Sequence, residues 1–363
     1  MAKFNAENER IKRQYFEYVK EACGKAESTV NNIRNALYLF EELTGFKNFK
    51  IINRQDIIAF KKHLREKNNQ KTDGPISKTY LLHTSENLIS FFQWLYSQKG
   101  YKRRLSFTDI DYFKLPGKDI QIARSTPSKR FPTLQQIEHV VRTMPSETEI
   151  QKRNRALIAF LILTGARVTA ITSIKLKHVF DDRVEQHPQE VKTKYSKKIV
   201  TYYFPVGDFL KNAFMEWVNF LKDEKLFGNN DPLFPSTKLS LDENDQFSRQ
   251  ELDTVAWQST TSIRTIVKDA FEAAGLEYYN PHSFRNTIAH LAYKYCKGPE
   301  DYKAWSQNIG HNSVLTTLTS YGSIDEYNQG KIMKRLSKND NERTLTKKDI
   351  EHLEKIFSKK IGK

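Results

Sequence analysis

A histidine and an arginine three residues apart open the most informative stretch of the sequence. His282 and Arg285 follow Pro281, and a helix begun by this proline would place both side chains on one face. Arginine carries a fixed charge and a planar fork of N–H donors that suits phosphate oxygens. Further on, His311 follows a glycine, and Tyr321 supplies a hydroxyl that can act as a covalent nucleophile. These residue types predict a site that grips and attacks a phosphate, as in a DNA-cutting enzyme.

The composition favours a nucleic-acid partner for that site. The 363 residues include 59 Lys and Arg against 43 Asp and Glu, a formal net charge of +16. Such a balance favours a polyanion, and double-stranded DNA is preferred over a membrane because no apolar run is long enough to span a bilayer. Cys23 and Cys296 are the only cysteines, which argues against a disulfide framework and predicts a cytoplasmic protein. We expect no metal, no cofactor and no small-molecule substrate, since no Cys, His and Asp cluster has metal-ligand spacing.

Apolar periodicity predicts a mainly α-helical fold in two domains. Four amphipathic helices with short connections indicate a compact bundle in residues 1–118. Residues 119–131 contain proline and scattered basic side chains and are predicted to be an extended linker. The basic side chains on the bundle either face solvent or contact phosphates. They are Lys61, Lys62, Arg65, Lys67, Lys71 and Lys78.

The second predicted domain, residues 132–335, combines helices with a small three-stranded antiparallel sheet. Arg167 lies at a helix start, where a positive side chain opposes the helix dipole unless a phosphate lies beside it. The strands are expected near 179–180, 190–194 and 198–204, with residues 238–258 as an irregular insertion. Lys194 is the predicted proton donor to a leaving oxygen, because a lysine among other cations can lose its proton; the alternative is that it only binds phosphate.

Residues 336–363 are predicted to form a tail with one amphipathic helix. Ile350, Leu353, Ile356 and Phe357 form an apolar stripe that needs a surface to cover it. That surface is either the chain's own second domain or a neighbouring subunit, and we favour the neighbour.

Three segments together resemble the tyrosine recombinases, also called the phage integrase family. They are TGARVTAI around Arg167, PHSFRNTIAH around His282 and Arg285, and IGHNSVLTTLTSY ending at Tyr321. The HxxR pattern alone is weak, whereas its order with the preceding TGxR and the following GH, TT and Tyr is specific. The resemblance covers most of the chain and implies an N-terminal four-helix, SAM-like core-binding domain followed by a mostly helical catalytic domain.

The resemblance also implies six catalytic residues, which are Arg167, Lys194, His282, Arg285, His311 and Tyr321. Tyr321 would attack the scissile phosphate to give a 3′-phosphotyrosine and a free 5′-hydroxyl. The two arginines would hold the nonbridging oxygens, and Lys194 would protonate the leaving oxygen. His282 would handle a proton, and His311 would hydrogen-bond the phosphate.

Three features depart from the family pattern, and one of them is the insertion at 238–258, for which the family offers no counterpart. Ala170 stands three residues after Arg167, where the family commonly has an acidic residue. The interval from His311 to Tyr321 is one residue longer than usual, which turns a helical side chain by about 100°. Tyr327 is therefore the alternative nucleophile.

The resemblance implies a site-specific recombinase that integrates or excises a mobile element and acts as a homotetramer on two DNA sites. Two alternatives remain open. One is a type IB topoisomerase-like enzyme that acts as a monomer. The other is a catalytically inactive DNA-binding regulator with the same fold.

Overall fold

The computed structural model describes residues 4–68, 74–102, 106–125, 130–193, 197–241, 247–319, 329–331 and 333–334. The chain divides into two compact units, Met1–Thr126 and Pro127–Lys363. Each unit has its own hydrophobic core. Within the described ranges, no helix is both long and apolar enough to cross a membrane.

In the described residues of the first unit, four long α-helices and two short ones are present. They are α1 Ala6–Glu17, α2 Glu27–Leu43, α3 Arg54–Glu66, α4 Lys78–Ser97, α5 Phe107–Ile110 and α6 Gly117–Arg124. Their apolar faces meet in a core of edge-to-face aromatic rings, with the Phe40 ring centroid 5.1 Å from that of Phe60 and 5.4 Å from that of Phe92. A capping box of Asn53 and Asp56 begins α3. The prediction of a helical bundle is confirmed.

The residues expected to form an extended linker are helical in part. Helix α6 packs along α4, and its Asp119 accepts salt bridges from Arg65 at 3.3 Å and Lys78 at 3.0 Å. These contacts hold a short segment whose sequence lacks a strong apolar stripe, which explains why the helix was not predicted.

The second unit contains eight helices and four strands within the residues that the structure describes. The helices are α7 Leu134–Thr143, α8 Glu149–Thr164, α9 Val168–Ile171, α10 Asp208–Asn219, α11 Thr261–Ala273, α12 Ser283–Tyr295, α13 Pro299–Ile309 and α14 Val314–Thr319. The strands are β1 Arg183–Gln186, β2 Ile199–Tyr202, β3 Pro235–Leu241 and β4 Phe247–Ala256. Helix α8 is the centre of the core, with every residue from Ala156 to Thr164 buried.

The predicted three-stranded sheet has two strands in the described part of the chain. Strands β1 and β2 pair antiparallel, and Val179 adds only an isolated bridge to Val184. The expected strand at 190–194 is wrong for its described residues, because the Glu190 carboxylate binds His178 at 3.0 Å and also Lys177. These side-chain bonds hold the backbone near Glu190 against the 177–178 segment.

The insertion predicted to be irregular is an antiparallel hairpin, β3 paired with β4. Its base is fixed by Arg153 of α8, whose Nη1 donates to the Pro235 carbonyl at 2.9 Å and to Thr237 Oγ1 at 3.0 Å. The Arg153 guanidinium also lies over the Trp257 ring, 4.9 Å from its centroid. Because most residues of the hairpin are polar, its hydropathy does not show the apolar–polar alternation of a strand, and the hairpin was not predicted.

Candidate active site

Gly165 places the first two candidate residues side by side. It ends α8 with φ of 58°, a left-handed conformation that favours glycine. A Cβ atom at this position would lie 2.9 Å from Ile288 Cδ1 and 3.6 Å from Arg285 Cγ. The Gly165 carbonyl accepts a hydrogen bond from Arg285 Nη1, and Arg167 follows two residues later as the N-cap of α9. One tight turn therefore brings both arginines into the same region.

Arg285 is a buried cation with an unfilled hydrogen-bonding atom. Its side chain lies on the first turn of α12 and the residue is 4% exposed. Its Nη2 atom is buried and has no hydrogen-bond partner among the described residues. Burial, followed by the nearby charge of Arg167, lowers the Arg285 pKa to about 9. A buried donor left unpaired is costly, so this atom is suited to an incoming acceptor such as a phosphate oxygen.

His282 precedes α12 instead of lying within it. Its backbone N–H donates to Asn280 Oδ1 at 3.0 Å, and Ser283 Oγ donates to the Asn280 carbonyl at 2.7 Å. This turn positions the His282 side chain at the exposed start of the helix that carries Arg285. The helix therefore begins at Ser283, two residues after the start predicted at Pro281.

His311 reaches the same region from α13. That helix ends at Gly310, whose φ is 78°, and the His311 N–H closes the end by donating to the Ser306 carbonyl at 3.0 Å. A Cβ atom on Gly310 would lie 3.1 Å from Ile199 Cδ1, so the backbone runs close to the start of β2. On its other side, His311 Nδ1 lies 2.9 Å from Thr317 Oγ1 of α14.

The electrostatics show that four candidate residues share one neighbourhood. Burial and then the charges of Arg285, Arg167 and His282 lower the pKa of His311 to about 3. Within the described ranges, no carboxylate is among the groups that shift the pKa of either His311 or Arg285. The described residues of the cluster therefore concentrate positive charge around Arg285 and His311. An anion placed there would gain from two fixed cations and from the neutral imidazole of His311.

The remaining two predicted residues, Lys194 and Tyr321, lie outside the described residues, as does the alternative nucleophile Tyr327. The chain just before Lys194 is anchored close to the arginines. The Lys192 N–H donates to Ser173 Oγ at 2.9 Å, and Ser173 lies two residues after α9. Ile199, shortly after Lys194 in sequence, contacts the turn that precedes His311.

Three functional positions were missed by sequence reasoning. Gly165 and Gly310 were read only as parts of motifs, although each carries a positive φ and a close backbone approach. The glycine that follows an apolar helix in TGAR and in IGH is the sequence pattern that could have identified them. Thr317, fully buried beside His311, had no distinguishing pattern beyond its place in a threonine pair.

Residues 130–326 match the phage integrase family, which is more than half of the chain. The chain belongs to the phage integrase family. Members are tyrosine site-specific recombinases, enzymes that cleave and rejoin DNA, and this activity accounts for a site built from cations in which a buried Arg285 donor is unpaired. No curated protein sequence matches the chain.

Solved structures share the fold of this integrase family member at low sequence identity. XerH recombinase bound to palindromic difH substrate is 16% identical, with a TM-score of 0.59 over 90% of this chain and 85% of that one. Lambda integrase (75–356) bound as a dimer to a COC′ core site is 14% identical, with a TM-score of 0.58 over 88% and 98%. The Tn1549 transposon integrase with transposon right end DNA is 14% identical, with a TM-score of 0.54 over 90% and 99%.

Proposed function

We propose that this recombinase cuts and rejoins DNA through Tyr321, with the cation cluster holding the scissile phosphate. The observation that carries the proposal is the cluster itself. Arg285 is buried beside Arg167, retains an unpaired Nη2, and has no described carboxylate to balance it. A phosphate diester supplies both the missing charge and the missing acceptors.

The proposed reaction exchanges one phosphoester for another. The Tyr321 oxygen attacks phosphorus, and the bond from phosphorus to the 5′ oxygen breaks. His282 takes up the tyrosine proton, while Lys194 gives a proton to the leaving 5′ oxygen. Arg167, Arg285 and the neutral His311 stabilise the added negative charge on the nonbridging oxygens, and reversal of these steps rejoins the strand.

The first unit is proposed to bind the same DNA as a core-binding domain. Its basic side chains supply charge for phosphate contacts, which would make the affinity salt-dependent. Part of this charge is already engaged, since Arg65 and Lys78 bind Asp119 and Lys61 Nζ donates to the Lys114 carbonyl at 2.6 Å. Lys62 is a basic and exposed residue of the same helix, and we assign it to DNA contact.

Four copies on two DNA sites are proposed as the active assembly, in the cytoplasm and in the service of a mobile element. A groove of about 890 Å³ between β2 and the α12–α13 region offers a receptor for a neighbour's tail. The groove is lined by the aromatic side chains of Tyr203, Phe204 and Trp305 and by the charged residues Lys297 and Asp301. The apolar stripe containing Leu353 and Phe357 has the chemistry to fill such a groove.

The nucleophile is tested by covalent trapping. Duplexes bound by the full chain are selected from a randomised pool, and the enriched site is then nicked to make a suicide substrate. Wild type should form a protein–DNA adduct on a denaturing gel, Tyr321→Phe should form none, and Tyr327→Phe should match wild type. An adduct with Tyr321→Phe would overturn the assignment. A selected site that never yields an adduct with wild type would favour the inactive regulator.

The role of the cluster is tested in the same assay with Arg285→Met, which keeps an unbranched chain but removes the charge. We expect the cleavage rate to fall by about a hundred- to a thousandfold, the usual effect of removing one transition-state donor. Arg264→Met, at an exposed arginine of α11, is the matched control and should cleave like wild type. Equal rates for Arg285→Met and wild type would contradict the proposed site.

Light scattering of the complex with DNA tests the assembly. Four subunits with two duplexes are expected, and Leu353→Asp should reduce this to smaller complexes that still bind DNA. A single active subunit on one duplex would favour the topoisomerase-like alternative.

A further inference from the structure

Among the described residues, Thr317 is the side chain that hydrogen-bonds the imidazole of His311, with its Oγ1 atom 2.9 Å from Nδ1. The threonine is fully buried within α14, and among the described residues its hydroxyl has no second hydrogen-bond partner. Because the site excludes water at this atom, the hydroxyl proton requires the imidazole as its acceptor.

The direction of this bond determines the chemistry of the opposite ring nitrogen. A neutral imidazole carries one N–H donor and one acceptor nitrogen. The ring is neutral because burial and the nearby Arg285 and Arg167 charges disfavour its protonation. If Nδ1 accepts from the threonine, Nε2 carries the proton and can donate to a phosphate oxygen. If Nδ1 carried the proton, Nε2 would present a lone pair to that oxygen and repel it.

We propose that Thr317 is a positioning residue that holds His311 in the Nε2–H tautomer, ready to donate to the scissile phosphate. The inference rests on the proposed function for its effect on cleavage, while the tautomer itself is a property of the protein without DNA. Thr317 touches no reacting atom and acts through the imidazole. This role makes Thr317, and not its neighbour Thr316, necessary for the cleavage rate.

Three variants separate positioning from simple packing. Thr317→Val keeps the side-chain shape and removes the donor. Thr317→Ser keeps the donor and removes a methyl group. Thr316→Val makes the same chemical change one residue away, at an exposed position. Each full-length variant is compared with wild type by thermal unfolding, by DNA affinity, and by the maximal rate of adduct formation on the suicide substrate.

We expect Thr317→Val to lower the maximal cleavage rate about ten- to a hundredfold, with DNA affinity unchanged. Thr317→Ser should recover most of the rate, and Thr316→Val should match wild type. A rate for Thr317→Val equal to that of wild type would overturn the proposal, as would a loss confined to DNA affinity.

Nitrogen NMR of the histidine-labelled protein without DNA provides a measurement that does not depend on cleavage. The resonances of His311 are identified by their loss in His311→Gln. Wild type should show a protonated Nε2 and an unprotonated Nδ1, and Thr317→Val should lose this preference. A protonated Nδ1 in wild type would refute the proposal even if cleavage is normal. A correct tautomer in a protein that never cleaves DNA would instead refute the proposed function alone.

Discussion

Replacing Gly165 by alanine should damage both the stability and the active site of the second unit. Alanine in the left-handed conformation costs about 1–2 kcal/mol. The new Cβ would also lie 2.9 Å from Ile288 Cδ1, and moving that side chain from its rotamer adds about 1 kcal/mol. The sum is about 2–3 kcal/mol, which lowers the Tm of a unit of this size by about 5–10 °C.

Gly275→Ala is the matched control for the backbone term. Gly275 lies in the same unit with φ of 71°, and a Cβ there meets nothing within 4 Å. Gly275→Ala should therefore lose only the stability that the left-handed backbone conformation costs an alanine, about 1–2 kcal/mol. The excess loss in Gly165→Ala isolates the close contact. Adding Ile288→Val removes the clashing Cδ1 atom, so the double variant should be more stable than the sum of the single changes predicts.

Thermal unfolding and adduct formation measure the two consequences separately. Because the Gly165 carbonyl accepts from Arg285, displacement of this turn should slow cleavage even at temperatures where Gly165→Ala is folded. Gly275→Ala should cleave at the wild-type rate at those temperatures. The reasoning is refuted if Gly165→Ala is no less stable than Gly275→Ala, or if it cleaves as fast.

Two further changes test the charge and the hydrogen bonds around the site. His311 has a lowered pKa of about 3, so the unfolded chain binds its proton first as pH falls from 6.5, and stability is lost with acid. Between pH 7 and pH 5, the free energy of unfolding should fall by about 1 kcal/mol less in His311→Gln than in wild type, after allowance for partial exposure of the ring. Thermal unfolding at both pH values measures this difference, and an equal fall in the two proteins would contradict it. Asn308 donates to the Tyr202 carbonyl and accepts from the Tyr202 N–H, both at 2.8 Å. Asn308→Asp should cost about 1–3 kcal/mol in denaturant unfolding, whereas Gln307→Glu, an exposed change of the same kind, should cost almost nothing.

The helical architecture could be predicted because its periodic segments are long and well capped. Capping boxes at Asn53 and Thr133 fix the starts of α3 and α7 by residue type and spacing alone. The elements that were predicted wrongly are short or depend on distant partners. Helix α6 is held by α4, the segment at Glu190 by side-chain bonds, and the β3–β4 hairpin by Arg153. Local sequence propensity does not depend on such distant contacts, so it could not predict these elements.

The site was predictable as a set of residue types and not as an arrangement. The motifs named Arg167, His282, Arg285 and His311, and the structure brings these four together. The turn at Gly165 depends on packing between α8 and α12, and the partner Thr317 depends on packing between α13 and α14. A motif does not encode such packing. The catalytic roles of all six residues, Lys194 and Tyr321 included, remain predictions.

The positive charge around Arg285 also affects how the protein responds to the ions in solution. Small anions such as sulfate or chloride can enter the region around Arg285 and relieve the repulsion with Arg167. They would then stabilise the folded protein while occupying the place of the DNA backbone. At equal ionic strength, DNA affinity should therefore depend on which anion is present. Part of the free energy of DNA binding would come from relief of the repulsion between Arg167 and Arg285.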